Sequence, residues 1–281
     1  MKKLLVLLLA LAMIFAFAAC GEEAVDGDQV QDQQTEENGE AGTDETVTFT
    51  LGFDAEFPPF GFIDENGEYD GFDLALAAEA CNRLGWEFVA QPITWDAKDA
   101  ELAAGNISCI WNGFTMSEDR IDEYTWSDPY YDNSIIMVVR ADSGISSLAD
   151  LEGKYVITQA GSSALTALEE NTELTSTFAE LLECADYNSA FMELSNGTVD
   201  AIAADVGVAN YNMANKEGEF VILDEAVASE VYAVGFLKGN TEMAEQINTM
   251  LHEMAEDGTM EQIAQDYVDY GLVMEALCLL D

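Results

Sequence analysis

The chain has 281 residues and carries 9 Lys and Arg against 55 Asp and Glu, a formal charge of -46. Such a composition cannot replace phosphate counterions, which argues against a nucleic-acid partner, and it offers no basic patch to anionic lipid. An apolar content of 49% is enough for one large core or two of ordinary size.

The start reads as an export signal. Lys2 and Lys3 precede the apolar run "LLVLLLALAMIFAFAA", which ends at Cys20. "AFA" (Ala16 to Ala18) fits an ordinary A-x-A cleavage site. Ala18-Ala19-Cys20 instead resembles a bacterial lipobox, with Phe17 where Leu is usual, and predicts cleavage before a lipidated Cys20. The following stretch favours the lipobox. Residues 21–46 are rich in Asp and Glu, lack Lys and Arg, and hold almost no large apolar residue. Such a segment cannot bury enough surface to order itself and is expected to be a flexible tether. Residues 1–20 are therefore read as the signal, and membrane contact is expected through the lipid anchor only.

From Val47 strands and helices alternate, the mark of an α/β protein. "VTFTLGF" alternates as a strand. "FDLALAAEACNRLG" puts Leu74, Ala77, Ala78, Cys81 and Leu84 on one helical stripe and stops at Gly85. "WEFVA", the helix "AKDAELAAG" and the strand "ISCIWN" follow. A second set starts near Ser147: "SLADLEG", the strand "KYVIT", the helix "SSALTALEEN", then "SAFMELSNG" and "VDAIAAD". "ELAAGNISCI" and "ELSNGTVDAI" share a pattern, a helix stopped by Gly before a buried strand, which suggests two similarly wound lobes. The extended segments Asn133–Arg140 and Glu230–Gly239 are candidate links between them, and the chain ends in two helices before the apolar tail 273–281. Lobe one is assigned residues 47–135 and 234–272, and lobe two 136–233. Two crossings make a hinge, and a cleft between hinged lobes suits a small ligand.

Chemistry-bearing motifs are sparse. His252 is the only histidine, which leaves Ser-His-Asp catalysis and His-based zinc sites without support. Neither a dinucleotide fingerprint nor a phosphate loop is present. "DENGEYDGFD" lacks the spacing of a calcium loop and is read as a hairpin turn ahead of a helix. Cys81, Cys109, Cys184 and Cys278 have no metal-type spacing; Cys81 and Cys109 read as small buried hydrophobes, with a disulfide between them left open. No catalytic residue, metal or cofactor is expected.

Six stretches, "GFDAEFPPFGF", "YDGFDLALAAEACNRLG", "GFTMSEDR", "WSDPYY", "LEGKYVITQAGSSA" and "VDAIAAD", lie in order over residues 51–205. Together they resemble the periplasmic-type solute-binding proteins of amino-acid ABC transporters, and the likeness runs more loosely to Gly271. The resemblance implies a type II periplasmic-binding-protein fold, with two α/β lobes joined by two hinge strands. It also implies that Arg120 receives the ligand's α-carboxylate, since a planar guanidinium makes two parallel hydrogen bonds that lysine cannot copy. The plainer role for Arg120 is to neutralise Glu118, Asp119 and Asp122 around it. Thr115 is expected to help bind that carboxylate through its N–H and hydroxyl, with Gly113 letting backbone come close. Ser162 and Ser163 open a helix whose free N–H groups favour an anion.

Asp205, at the end of "VDAIAAD", corresponds to the acid that receives the α-ammonium in the family. Phe57 and Trp95 match positions that sandwich the ligand, Asp54 could accept from a polar or cationic side chain, and Phe60 and Trp111 are further pocket or core candidates. Glu118 and Trp126 depart from the family's usual proline and phenylalanine. The expected function is capture of a free amino acid outside the membrane by a monomer, on the cell's outer face or in a periplasm, and delivery to an ABC permease. A cyclohexadienyl-type dehydratase on the same fold and a sensing module are the alternatives.

Overall fold

The computed structural model describes residues 46–214, 216 and 218–280. The expected signal segment with Cys20, and residues 21–45 of the tether, lie outside the described residues. None of the described helices is long and apolar enough to cross a membrane.

The first lobe opens with β1 (Thr48–Phe53), whose inward residues Phe49, Leu51 and Phe53 are fully buried. A small three-stranded sheet follows, β2 (Glu56–Phe57), β3 (Gly61–Ile63) and β4 (Tyr69–Asp70). Its turn is held by Asp64, whose carboxylate accepts from the backbone of Asn66 and Glu68, so the acidic loop is a hairpin rather than a cation cage. Helix α1 (Phe72–Leu84) ends at Gly85 in the left-handed region, φ 70, where only glycine is unstrained. β5 (Glu87–Pro92), α2 (Lys98–Ala104), β6 (Cys109–Ile110) and β7 (Tyr124–Trp126) complete this part of the chain.

The second lobe holds β8 (Tyr131–Arg140), β9 (Tyr155–Gln159), α3 (Ser163–Glu170), α4 (Thr172–Thr175), β10 (Glu180–Cys184), α5 (Tyr187–Asn196), β11 (Ala201–Asp205), α6 (Val206–Ala214), β12 (Phe220–Ile222) and β13 (Ala228–Tyr232). β14 (Gly235–Leu237) returns to the first sheet, and α7 (Thr241–Glu256) and α8 (Thr259–Gln265) pack back near α1. The first sheet runs β5-β1-β6-β14-β7 and the second β10-β9-β11-β8-β12, with β13 beside β8. In each, one strand lies between two parallel partners reached through helices: β1 between β5 and β6, β9 between β10 and β11.

β8 belongs wholly to the second sheet, so the outward crossing is at residues 127–130, ahead of the segment that hydropathy suggested as a link. The return crossing, at Ala233 and Val234, lies inside the other suggested segment. The C-terminal tail packs on the body: Leu277 is buried and the Val273 N–H donates to Tyr131 Oη at 2.9 Å. Cys81 and Cys109 are buried free thiols, whose pKa values burial raises.

Candidate functional site

Parallel strands of an open α/β sheet leave a crevice beyond their carboxyl ends. Asp54 follows β1 and Gly113 lies just beyond β6, while Gln159 ends β9 and Asp205 ends β11. The two lobes turn these ends toward one another, and Gln159 Nε2 donates to Asp54 Oδ2 at 2.6 Å across the gap.

Phe57, Trp95, Gly113, Thr115 and Arg120 from the first lobe, with Gln159, Ser162, Ser163 and Asp205 from the second, line one cavity of about 10 Å³. All the expected ligand residues are in this lining except Asp54, which reaches it through Gln159. The space admits about one water, so a larger ligand requires the lobes to part. It shares lining residues with two wider cavities, Arg120 and Ser162 with one and Thr115 and Ser163 with the other. One, about 610 Å³, includes Lys98, Arg120 and Gly161; the other, about 390 Å³, includes Thr115, Ser163 and Glu230. Phe60 and Trp111 are core instead. Both are fully buried, Phe60 edge-on to Tyr131 and Tyr232, and Trp111 against Tyr130.

Arg120 sits on a turn closed by bonds from its own N–H and that of Ile121 to the Ser117 carbonyl. Its guanidinium lies 5.2 Å over the Phe114 ring, and Nη2 is 3.3 Å from the carbonyl oxygen of Gly161 in the second lobe. The ion pairs of the described residues belong to Arg83, Arg140 and His252, so Arg120 forms no ion pair with the described acids beside it. Lys98 Nζ donates to the same carbonyl at 3.1 Å. Lys98 is 4% exposed, and burial lowers its pKa.

Gly113 has φ 54, and a Cβ there would come within 2.8 Å of Phe57 Cε1 and 3.1 Å of the Tyr232 ring. Both facts require glycine. Its N–H donates to Asp73 Oδ2 at 2.7 Å, and Tyr130 Oη donates to Asp73 Oδ1 at 2.8 Å. Burial pushes the Asp73 carboxyl up to about 7 against these two bonds. Ser162 is the N-cap of α3, accepting from Leu165 N at 3.1 Å. The backbone N–H groups of Thr115 and Ser163 have no acceptor among the described residues.

Asp205 is 3% exposed and accepts from Asn133 Nδ2 at 2.7 Å and Tyr232 Oη at 2.5 Å. Burial, and then the nearby Glu230 charge, hold its carboxyl well above the usual range. Sequence reasoning missed Lys98, Asn133, Gln159, Glu230 and Tyr232. Gln159 falls inside the quoted "LEGKYVITQAGSSA" and Tyr232 inside the named segment Glu230–Gly239, and their places beside "GSS" and at the return crossing were usable signals. Glu230 gave only one cue, an acid in an apolar extended run.

Residues 49–270 match the family described as bacterial extracellular solute-binding proteins, family 3. The chain belongs to that family. This family 3 protein is 26% identical over 226 residues to the L-cystine-binding protein TcyJ of Escherichia coli (strain K12), covering 79% of this chain and 83% of the relative. It is 27% identical over 269 residues to the arginine-binding extracellular protein ArtP of Bacillus subtilis (strain 168), covering 95% and 98%. A crystal structure of an ABC uptake transporter substrate binding protein from Streptococcus pneumoniae with bound histidine superposes with a TM-score of 0.77 at 32% identity, covering 80% of this chain and 94% of the other. The two-lobe periplasmic-binding-protein fold of this family 3 protein is thereby shared with proteins whose names state amino-acid binding.

Proposed function

We propose that the protein captures a free amino acid between its lobes and delivers it to an ABC transporter permease, without covalent chemistry. One observation carries the reading: Arg120 of the first lobe, in no ion pair among the described residues, and Asp205 of the second line the same cavity. A zwitterion there would join opposite charges across the hinge. Charge-assisted hydrogen bonds contribute roughly 1.5–3 kcal/mol each, and both sets form only when the lobes close, so the ligand shifts the open–closed population. Thr115, Gly113, Ser162 and Ser163 would surround the carboxylate, and Phe57 and Trp95 would flank the ligand. Asp54 and Gln159 favour a polar or cationic side chain, in keeping with relatives named for arginine, histidine and cystine.

We further assign Cys20 as the lipidated residue of a monomer tethered outside the membrane. Loss of membrane association on Cys20→Ser, read by fractionation, tests this. The ligand assignment is tested by a thermal-shift screen of the standard amino acids with cystine, ornithine and small peptides, followed by calorimetry on the strongest hit. A stabilised melt is expected for at least one free amino acid; a flat screen removes the reading.

A further inference from the structure

Glu230 lies at the end of the cleft where the chain returns to the first lobe, and no part of the proposed site yet uses it. Its Oε1 accepts from Thr115 Oγ1 at 2.9 Å, Asn133 Nδ2 at 2.7 Å and Ser163 Oγ at 3.2 Å. Asn133 Nδ2 also donates to Asp205 Oδ1 at 2.7 Å, so one amide ties both carboxylates together. We propose that Glu230 is a positioning residue that makes the cleft select for an α-ammonium, by taking the hydroxyl hydrogens of Thr115 and Ser163. The inference rests on the amino-acid reading above and deepens it.

A hydroxyl has one hydrogen and two lone pairs. Once Thr115 Oγ1 has donated to Glu230, it offers only lone pairs, which suit an ammonium and repel a carboxylate. This changes the role expected for that hydroxyl. The backbone N–H groups of Thr115 and Ser163, which have no acceptor among the described residues, are what remain for the carboxylate. Backbone and side chain of the same two residues thus divide between the ligand's poles. The shift of Asp205 under the Glu230 charge supports the closeness of the two acids. A ligand lacking the amine meets lone pairs on Thr115 and two linked carboxylates with no cation to answer them, and is rejected.

The test compares matched ligand pairs that differ only in the α-amine: L-arginine with δ-guanidinovalerate, L-glutamine with glutaramate, and L-histidine with imidazolepropionate. Calorimetry on wild type gives a preference ratio for each pair that binds. Glu230→Leu, which removes the acceptor oxygen that glutamine would keep, should narrow that ratio at least about tenfold by weakening the amino acid while leaving the amine-free acid equal or tighter. Thr115→Val should narrow it similarly, and the double variant should add little. Thr115→Val leaves Glu230 in place and keeps the test alive if Glu230→Leu does not fold. Equal loss for both members of a pair, or an unchanged ratio, overturns the role of Glu230 while amino-acid binding stands. Where the screen selects another amino acid, that ligand and its α-deamino analogue make the pair, and a wild type that binds no amino acid overturns both readings together.

Discussion

The two ends of the cleft are built by opposite means. At the end assigned to the ligand's carboxylate, Arg120 stands half-buried on a turn, with a ring beneath it, a backbone carbonyl opposite and no ion pair among the described residues. At the end assigned to the ammonium, Asp205 finishes a fully buried strand and is held by Asn133 and Tyr232. The cation is left under-satisfied, in a chain crowded with acids. The acid is held in advance by neutral donors, which offset only part of the burial that raises its pKa. A buried carboxylate without such donors would cost several kcal/mol, whereas a half-exposed guanidinium keeps part of its water. The difference follows from where each group sits: a strand end fixes a side chain before the ligand comes, and a turn leaves one to be recruited.

The sharpest way to break this contrast is to remove the cation. Arg120→Ala should abolish measurable amino-acid binding, a loss of at least about 100-fold given two charge-assisted bonds of roughly 1.5–3 kcal/mol each, with the melting temperature nearly unchanged. Unaltered affinity in calorimetry would end the carboxylate assignment.

The anion end should respond differently. Asp205→Asn is expected to weaken binding about 10- to 100-fold, since one charged bond becomes neutral. It should also raise the melting temperature near neutral pH. The sign follows from the raised pKa of the buried acid: its stabilising form is the protonated one, and stability falls as the group is forced to ionise. A variant that loses both affinity and stability would mean that the carboxylate is structural.

How much of this could be read from the chain depends on how local each signal is. The pattern shared by "ELAAGNISCI" and "ELSNGTVDAI" proved structural. Gly105 and Gly197 cap α2 and α5 in the left-handed region, and β6 and β11 then pair in parallel with β1 and β9. A glycine stop and an apolar strand are written within ten residues, so they are legible. Asp205 was legible because it ends such a strand. The two-residue β2 and β4 are too short to show a period. Glu230 was illegible for a different reason: its partners Thr115, Asn133 and Ser163 lie far away in sequence, and nothing in "ASEVYAV" reveals that three donors meet there. Lys98 is the first residue of α2, and nothing local tells that its ammonium meets the Gly161 carbonyl of the other lobe.

Asp73 offers a third buried acid with which to sharpen the comparison, one that touches only the protein. Its pKa rises from 3.8 to about 7 on folding. The fold favours its protonated form, so its contribution is intact below pH 3.8 and is lost as pH climbs through about 7. At 1.36 kcal/mol per pH unit the span is on the order of 4 kcal/mol. Denaturant midpoints taken across that window should fall more steeply for wild type than for Asp73→Asn, whose amide can keep the Gly113 bond. Parallel pH profiles would show that Asp73 ionises freely.

The smallest expected effect concerns Lys98 and decides whether the cation end is one residue or two. The Gly161 carbonyl has two lone pairs and receives both Lys98 and Arg120. When a ligand carboxylate draws the guanidinium away, the ammonium alone keeps that carbonyl bonded across the lobes. Lys98→Met preserves a stem that can pack by Trp95, 5.3 Å from the present ammonium, and deletes only the bond and the charge. Loss of one interlobe hydrogen bond is worth about 0.5–1.5 kcal/mol, so affinity should drop about three- to tenfold, through faster release. A loss as deep as that of Arg120→Ala would mean that two cations share the carboxylate. No change would mean that closing depends on the ligand's own charges, bridging the turn of one lobe to the strand end of the other.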